Sequence, residues 1–519
     1  MSKNRSKQQV SSFTDARLGK PQAEELQRYV TSAWLTFARS AYREFCLVDM
    51  AHTVMLNRQG VLAGADTAKI LTCLARIWRE GPDQLPFDGA LGSYLFQVEA
   101  WMAGEIGEET AGRMHTGRSR NDQDTCVQRL LLRDRLLGVA QAIIEYQERI
   151  IAVAREHAAT LMPGYTHLQH AQPVTLGHHF TGEFFVSSRD FHRLQGAFAH
   201  TNLNSLGGAA LAGTGWPVDR EQTASYLGFD GLVLNSRDAS GTANEYTAEI
   251  AAALSILMVN LGRVASDLYV WSSWEFDLIE LADEFCGSSS IMPQKKNPYL
   301  LERARGLAGE AIGLVPALLG SLKMATTSDR DAGFSDGADV ILPNACTTAC
   351  NTLEMIGKSV QTMTVKKEVM RRRAGAFWST ASNLADEIVR QKGLSFRSAH
   401  QVVARLVRNA IAGGVAPAAV TSEMLDAAAA ETVGRPVGMS AELIRQALDP
   451  EEFLRTRASA GSVNPVEVLR MVEEAERIIA EEKAWLADRT GSIKVSLDRL
   501  GAEVGAYLGE PVTLTGAGA

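Results

Sequence analysis

Asn244–Trp274 reads NEYTAEIAAALSILMVNLGRVASDLYVWSSW. Within it, Ile250, Leu254, Leu257, Leu261, Val264, Leu268 and Trp271 follow one another at steps of four, three, four, three, four and three. That alternation keeps one apolar seam turned toward partner helices. A helix over the whole stretch is about 45 Å long at roughly 1.5 Å per residue. Such a length suits the spine of a bundle better than a surface helix of a compact domain. A second seam with the same steps runs through Leu132, Leu136, Val139, Ile143, Tyr146, Ile150 and Val153. Both sets are packing residues. Alternation of the strand type is nearly absent, so the expected class is all-α.

Downstream of the spine lies Cys286–Pro298, CGSSSIMPQKKNP. Gly287, Pro293 and Pro298 argue against a regular element. The stretch is therefore a loop between two helices, carrying hydroxyls and cations. A helix from Leu300 to Lys323, bent at Pro316, and another from near Ala338 follow. Upstream, Gly207–Gly215 is a glycine-rich turn, and Leu176–Asn202 is helical. Pro163-Gly164 breaks the pattern ahead of Tyr165–Pro173, YTHLQHAQP, which lies between helices. His115–Gln123, HTGRSRNDQ, opens the helix of the second seam, with Asn121 or Asp122 as its N-cap.

Outside this middle, short helices are expected over 23–56, 62–79 and 91–104, then over 381–411 (broken at Gly393), 418–448 and 466–488. The last thirty residues show only short Val/Leu pieces. The expected domains are 1–113, N-terminal and helical with 1–20 loose; 114–363, the long-helix bundle; and 364–519, C-terminal and helical with a tail that has no clear pattern.

The chain has 519 residues, with 52 basic and 60 acidic side chains and a net charge of -8. That balance offers no general basic field for nucleic acid. No apolar run reaches the roughly 18 residues of a membrane span, so no membrane partner is expected. The first residues are basic but lack the apolar core of a secretory signal, which makes the cytoplasm the expected location. The six cysteines are sparse and form no disulfide framework. Cys346 and Cys350 could share a helix face, but no second Cys or His pair lies near them, and no metal site is expected.

Taken singly, the polar segments are ordinary. A lone histidine is more often structural, and an arginine is usually solvated or paired. Together, HTGRSRNDQ (115–123), GYTHLQHAQP (164–173) and GSSSIMPQKKNP (287–298) resemble, in order and spacing, the motifs of the argininosuccinate lyase branch of the fumarase/aspartase superfamily. Asn235-Ser236 with Asp238-Ala239, and Ala381–Glu387, add to the likeness, which runs from Leu35 to Ala480.

The resemblance implies a three-domain, largely helical subunit that assembles as a homotetramer, three subunits contributing to each active site. It implies elimination of an amine from an N-substituted aspartate, leaving fumarate, with no metal or organic cofactor. The residue types suit that reaction. A weakly acidic C–H beside a carboxylate must lose its proton, and the dianion that forms needs fixed donors and cations. By resemblance Ser289, six residues before Lys295, is the base, rather than Ser288 or Ser290. Serine needs a positive, preorganised site for that role, and Lys295 is the nearest cation. Ser119, Arg120, Asn121, Thr166, Lys295 and Asn297 match the family residues that hold the fumarate-side carboxylates. His167 belongs to the other half-site, and Glu302 matches the glutamate that pairs with it.

The departures cluster on the amine side. The family's NPD becomes Asn297-Pro298-Tyr299. Its pocket tyrosine, glutamine and lysine fall on Thr326, Asp331 and Phe334, and a serine near the N-terminus falls on Asp49. An amine pocket lined by Asp49, Thr326 and Asp331 is expected to take a more cationic amine than arginine, one without a carboxylate at that position. Relatives that act on ethylenediamine disuccinate set a precedent. A fumarase or aspartase is disfavoured by GRSRNDQ and PQKKNP. A catalytically retired structural homologue, as among lens crystallins, is disfavoured by the presence of Ser289, Lys295, Asn297, His167 and Glu302.

Overall fold

A computed structural model of the chain describes residues 22–242, 244–323 and 337–515. The expected loose segment 1–20 and the amine-side residues Thr326, Asp331 and Phe334 lie outside them. Helices dominate, as the seams predict. The N-terminal part holds α1 (Tyr42–Arg58), α2 (Gly64–Glu80) and α3 (Tyr94–Ile106). The bundle holds α4 (Arg120–Glu156), α5 (Leu176–Thr201), α6 (Tyr246–Trp271), α7 (Tyr299–Ile312) and α8 (Leu342–Thr362). All seven seam residues of α4 and all seven of α6 are buried. α4 packs along α5 and α8, and α6 along α5, α7 and α8.

By length and a mean hydropathy of 1.5, α6 would suit a membrane crossing, contrary to the expectation that no stretch is apolar enough. Its seam is the bundle core. The bend expected at Pro316 falls at Gly313, between α7 and a helix over Leu314–Leu322. The reason is local, because a proline excludes the carbonyl four residues before it, here that of Ile312.

Four two-stranded pairs interrupt the all-α reading among the described residues. The longest is an antiparallel hairpin of β1 (Leu161–Thr166) and β2 (Gln169–Thr175), where an irregular connection was expected. It stands on the C-terminal end of α4, with the Leu176 and Gly177 amides bonded to the Thr160 and His157 carbonyls at 3.0 Å.

Beyond the bundle, α9 (Ala381–Lys392), α10 (Phe396–Ala412), α11 (Ser422–Val433) and α12 (Ala441–Leu448) enclose a small core of their own around Leu384, Leu406, Leu425 and Ile444. The last helix, α13 (Pro465–Leu508), is 44 residues long and runs twenty residues past the expected end at Asp488. It starts near the hairpin, where Glu476 pairs with Arg155 at 2.7 Å, and ends at the N-terminal helices, where Glu503 pairs with Arg58 at 2.6 Å. The chain then doubles back on it. A side chain at Gly501 would meet the Val512 carbonyl at 2.3 Å, so only glycine permits that approach. The Trp78 indole donates to the Thr513 carbonyl at 3.0 Å, which fixes the tail to α2.

Candidate active site

The described residues among those singled out in the sequence gather at two opposite ends of the bundle. At the N-terminal end of α4, Ser119 is the N-cap, in place of the expected Asn121 or Asp122. Its hydroxyl accepts from the Asn121 amide at 3.3 Å, while Asp122 accepts from the Ser119 amide at 2.9 Å, a reciprocal capping box. Asp122 is fully buried, and its other oxygen accepts from the amides of Gly207 and Ala209 at 2.8 and 2.9 Å. The glycine-rich segment is thereby folded over the start of α4. Burial raises the Asp122 carboxyl to about 6 against the pull of these amides. Ser119 and Asn121 are half-buried and Arg120 is exposed, so this end presents donors to solvent from a fixed base. A helix N-terminus with free N–H groups and an arginine suits a carboxylate.

Asp49 is buried away from solvent among the described residues. Its side chain has Arg118 Nη1 at 2.7 Å and Gln123 Nε2 donating at 2.6 Å. The acid expected to meet a cationic amine instead neutralises the arginine preceding the Ser119 cap. One turn on, His52 Nε2–H donates to the Thr116 carbonyl at 2.9 Å, and burial holds that imidazole well below its ordinary pKa. Asp49, His52 and Gln123 thus brace the HTGRSR segment from α1 and α4.

The other motifs lie at the opposite end. His167 and Leu168 form the hairpin tip with φ of 55° and 56°, the left-handed pair that a two-residue type I′ turn requires. Thr166 and His167 are exposed. The Tyr165 ring packs edge-on against Phe276 at 5.3 Å, on the segment that leads into the 286–298 loop. That loop closes with a short antiparallel ladder, Gly287 opposite Asn297 and Ser288 opposite Lys296. Ser289 follows directly, and its hydroxyl accepts from the Met292 amide at 3.0 Å. Lys295 makes no ion pair among the described residues, and Glu302 is exposed in the first turn of α7.

Between the two ends stands α4, 37 residues and so about 55 Å long. One subunit therefore brings Thr166, His167, Ser289, Lys295, Asn297 and Glu302 to one end and Ser119, Arg120 and Asn121 to the other. Asp122 and Arg118 were not singled out as site residues. The Ser-x-x-Asp spacing of a capping box is the signal that points to Asp122. Nothing local marks Arg118.

The arrangement is that of a helical-bundle lyase of the fumarase/aspartase superfamily. The general lyase family model matches residues 25–313, and the argininosuccinate lyase C-terminal model matches residues 378–455. The chain is 39% identical to an argininosuccinate lyase of Methanothermobacter thermautotrophicus, over 90% of this chain and 98% of that one. It is 38% identical to an argininosuccinate lyase of Methanosarcina mazei, over 91% and 94%. Among solved structures, an EDDS lyase in complex with formate superposes with a TM-score of 0.82 at 33% identity, covering 95% of this chain and 97% of that one. The chain belongs to the argininosuccinate lyase family.

Proposed function

We propose that this chain is a carbon–nitrogen lyase that eliminates an amine from an N-substituted L-aspartate to give fumarate, and that it works as a homotetramer with active sites shared between subunits. The Ser289 oxygen takes the proton from the carbon beside a carboxylate. Lys295 and Asn297 stabilise the charge that builds on that carboxylate. The electron pair closes the double bond as the C–N bond breaks, and the amine leaves with a proton from the His167 half-site. Ser119, Arg120 and Asn121 hold the second carboxylate. The observation that carries the shared site is the length of α4, since about 55 Å separates groups that must meet on one small molecule. Exposed apolar side chains along the outside of the bundle, among them Ile256, Val259 and Tyr269 on α6 and Ile312 on α7, suit burial against further copies.

Two amines compete. The relatives' names favour argininosuccinate, the first substrate to assay. Tyr299 favours a different amine, because an exposed aromatic ring stands where the family has an acid, next to Asn297. Asp49 no longer supports that second reading, which otherwise rests on Thr326, Asp331 and Phe334. Fumarate release, followed by ultraviolet absorbance over a panel of N-substituted aspartates, decides. The altered pocket predicts a higher kcat/KM for aspartates whose amine lacks a carboxylate. Argininosuccinate as the best substrate, at about 10⁴ M⁻¹s⁻¹ or above, would remove that reading. No fumarate from any of them would remove the lyase assignment.

A further inference from the structure

We infer that Lys296 is a positioning residue, an anchor that fixes the register of the 286–298 loop and with it the placement of Ser289, Lys295 and Asn297. The inference rests on the lyase reading and deepens it. The ladder sets Gly287 opposite Asn297 and Ser288 opposite Lys296, and Ser289 and Lys295 are the residues at which the two strands leave it. Successive side chains of a strand point to opposite faces. Gly287 and Asn297 therefore share one face and Ser288 and Lys296 the other, while Ser289 and Lys295 pass straight from the ladder into the turn, where the Lys295 amide donates to the Met292 carbonyl at 3.1 Å and the Ser289 hydroxyl accepts from the Met292 amide at 3.0 Å.

A ladder this short does not hold its own register. Its sequence makes the problem worse, because Ser288, Ser289 and Ser290 are identical and so are Lys295 and Lys296. A slip by one residue exchanges the two faces, and a serine and a lysine would still face each other, in the wrong places. A contact made by one lysine and not its neighbour removes the ambiguity.

Lys296 makes that contact. Its ammonium donates to the Leu281 carbonyl at 2.6 Å and pairs with Asp283 at 2.6 Å and Glu280 at 3.2 Å. Glu280 also faces Lys366 at 3.8 Å, and Lys366 pairs with Asp277. Ile279 and Glu280 form a ladder with Val365 and Thr364. Leu278, Ile279 and Leu281 are buried in the main core, which holds the backbone carrying the Leu281 carbonyl and Glu280, while Asp283 lies on the exposed turn that follows. A single exposed ion pair contributes little. Here one ammonium meets three acceptors on a fixed segment, and what they select is register rather than overall stability. The other face of the stem is closed at its base by Tyr299, whose ring occupies the place a side chain at Gly287 would take.

The test compares Lys296→Met, Lys296→Arg and the double variant Glu280→Gln/Asp283→Asn, which keeps the lysine and removes its carboxylates. Lys296→Met should lower kcat about tenfold with KM within about twofold, as for loss of alignment rather than of binding. Lys296→Arg should restore most of the rate, and the double variant should behave like Lys296→Met. Hydrogen exchange at the amides of 287–289 and 295–297 should quicken in Lys296→Met and in the double variant, with the thermal midpoint and the oligomer unchanged. Wild-type kcat and exchange in both variants overturn the inference. Should Lys296→Met fail to fold, the double variant decides alone. If the wild-type chain releases no fumarate, the lyase reading fails, and the exchange comparison still tests the anchor.

Discussion

At the N-terminal end of α4 the charged groups beneath the cap are buried and bonded, whereas at its C-terminal end the groups assigned to the chemistry stand open. Asp122 accepts three backbone amides, and Asp49 and Arg118 neutralise each other within the core. At the other end Thr166, His167 and Glu302 are exposed, on a hairpin tip and the first turn of a helix. The first end is a rigid platform that can hold a carboxylate without rearranging. On the proposed reading, the second is half of a site that a neighbouring subunit completes. The division follows from the chemistry. Groups that only brace a site can be fixed in the core, while groups that bind or move protons must reach the substrate.

The largest effect expected at the open end is chemical. Ser289→Ala should lower fumarate release by about 10²–10⁴-fold, the usual contribution of a positioned base, with urea denaturation unchanged. Ser288→Ala and Ser290→Ala should stay close to wild type. Loss of activity in either, with full activity in Ser289→Ala, would show that the register is wrong.

At the platform end the leading effect is structural. Asp49→Ala leaves a buried guanidinium unpaired and should destabilise the fold by about 3–5 kcal/mol. Asp49→Leu combined with Arg118→Met should cost less, since neither charge remains. Equal losses in the single and double variants would mean that the pair does not brace the platform.

The smallest effect lies between the ends, on α13. Burial raises the Glu482 carboxyl, beside Ser188 and Gln147, to about 7. A carboxyl raised in the folded state stabilises it below the unfolded pKa, and that stability is lost as pH rises through about 7. Glu482→Gln should therefore match wild type near pH 4 and exceed it at pH 8 by about 1–3 kcal/mol. A gain that is the same at both pH values would place the effect in packing.

The two ends were not equally legible in the sequence. The seams of α4 and α6 could be read because every seam side chain is apolar and the period repeats over many turns. The hairpin was missed because Pro163, Gly164 and Pro173 read as breakers, although prolines are tolerated on edge strands. Ser119 was passed over as cap because the reading placed the helix start two or three residues late. The final turns of α13 were hidden by Gly491, Gly501 and Gly505, and Gly501 is there for the returning tail. Asp49 was misread because alignment names a position and not its partner. Arg118, which decides its role, lies on a distant segment of the chain.

The central claim is that groups about 55 Å apart in one subunit meet in one active site, and subunit mixing tests it most directly. Asn121→Ala removes a group from the platform end, and Ser289→Ala removes one from the open end. Each variant alone should be inactive. Co-expressed and purified as mixed oligomers, they should recover a measurable part of wild-type fumarate release, because some sites then draw both intact groups from different chains. Mixed oligomers, verified by differential tags, that stay as inactive as either parent would contradict the shared site.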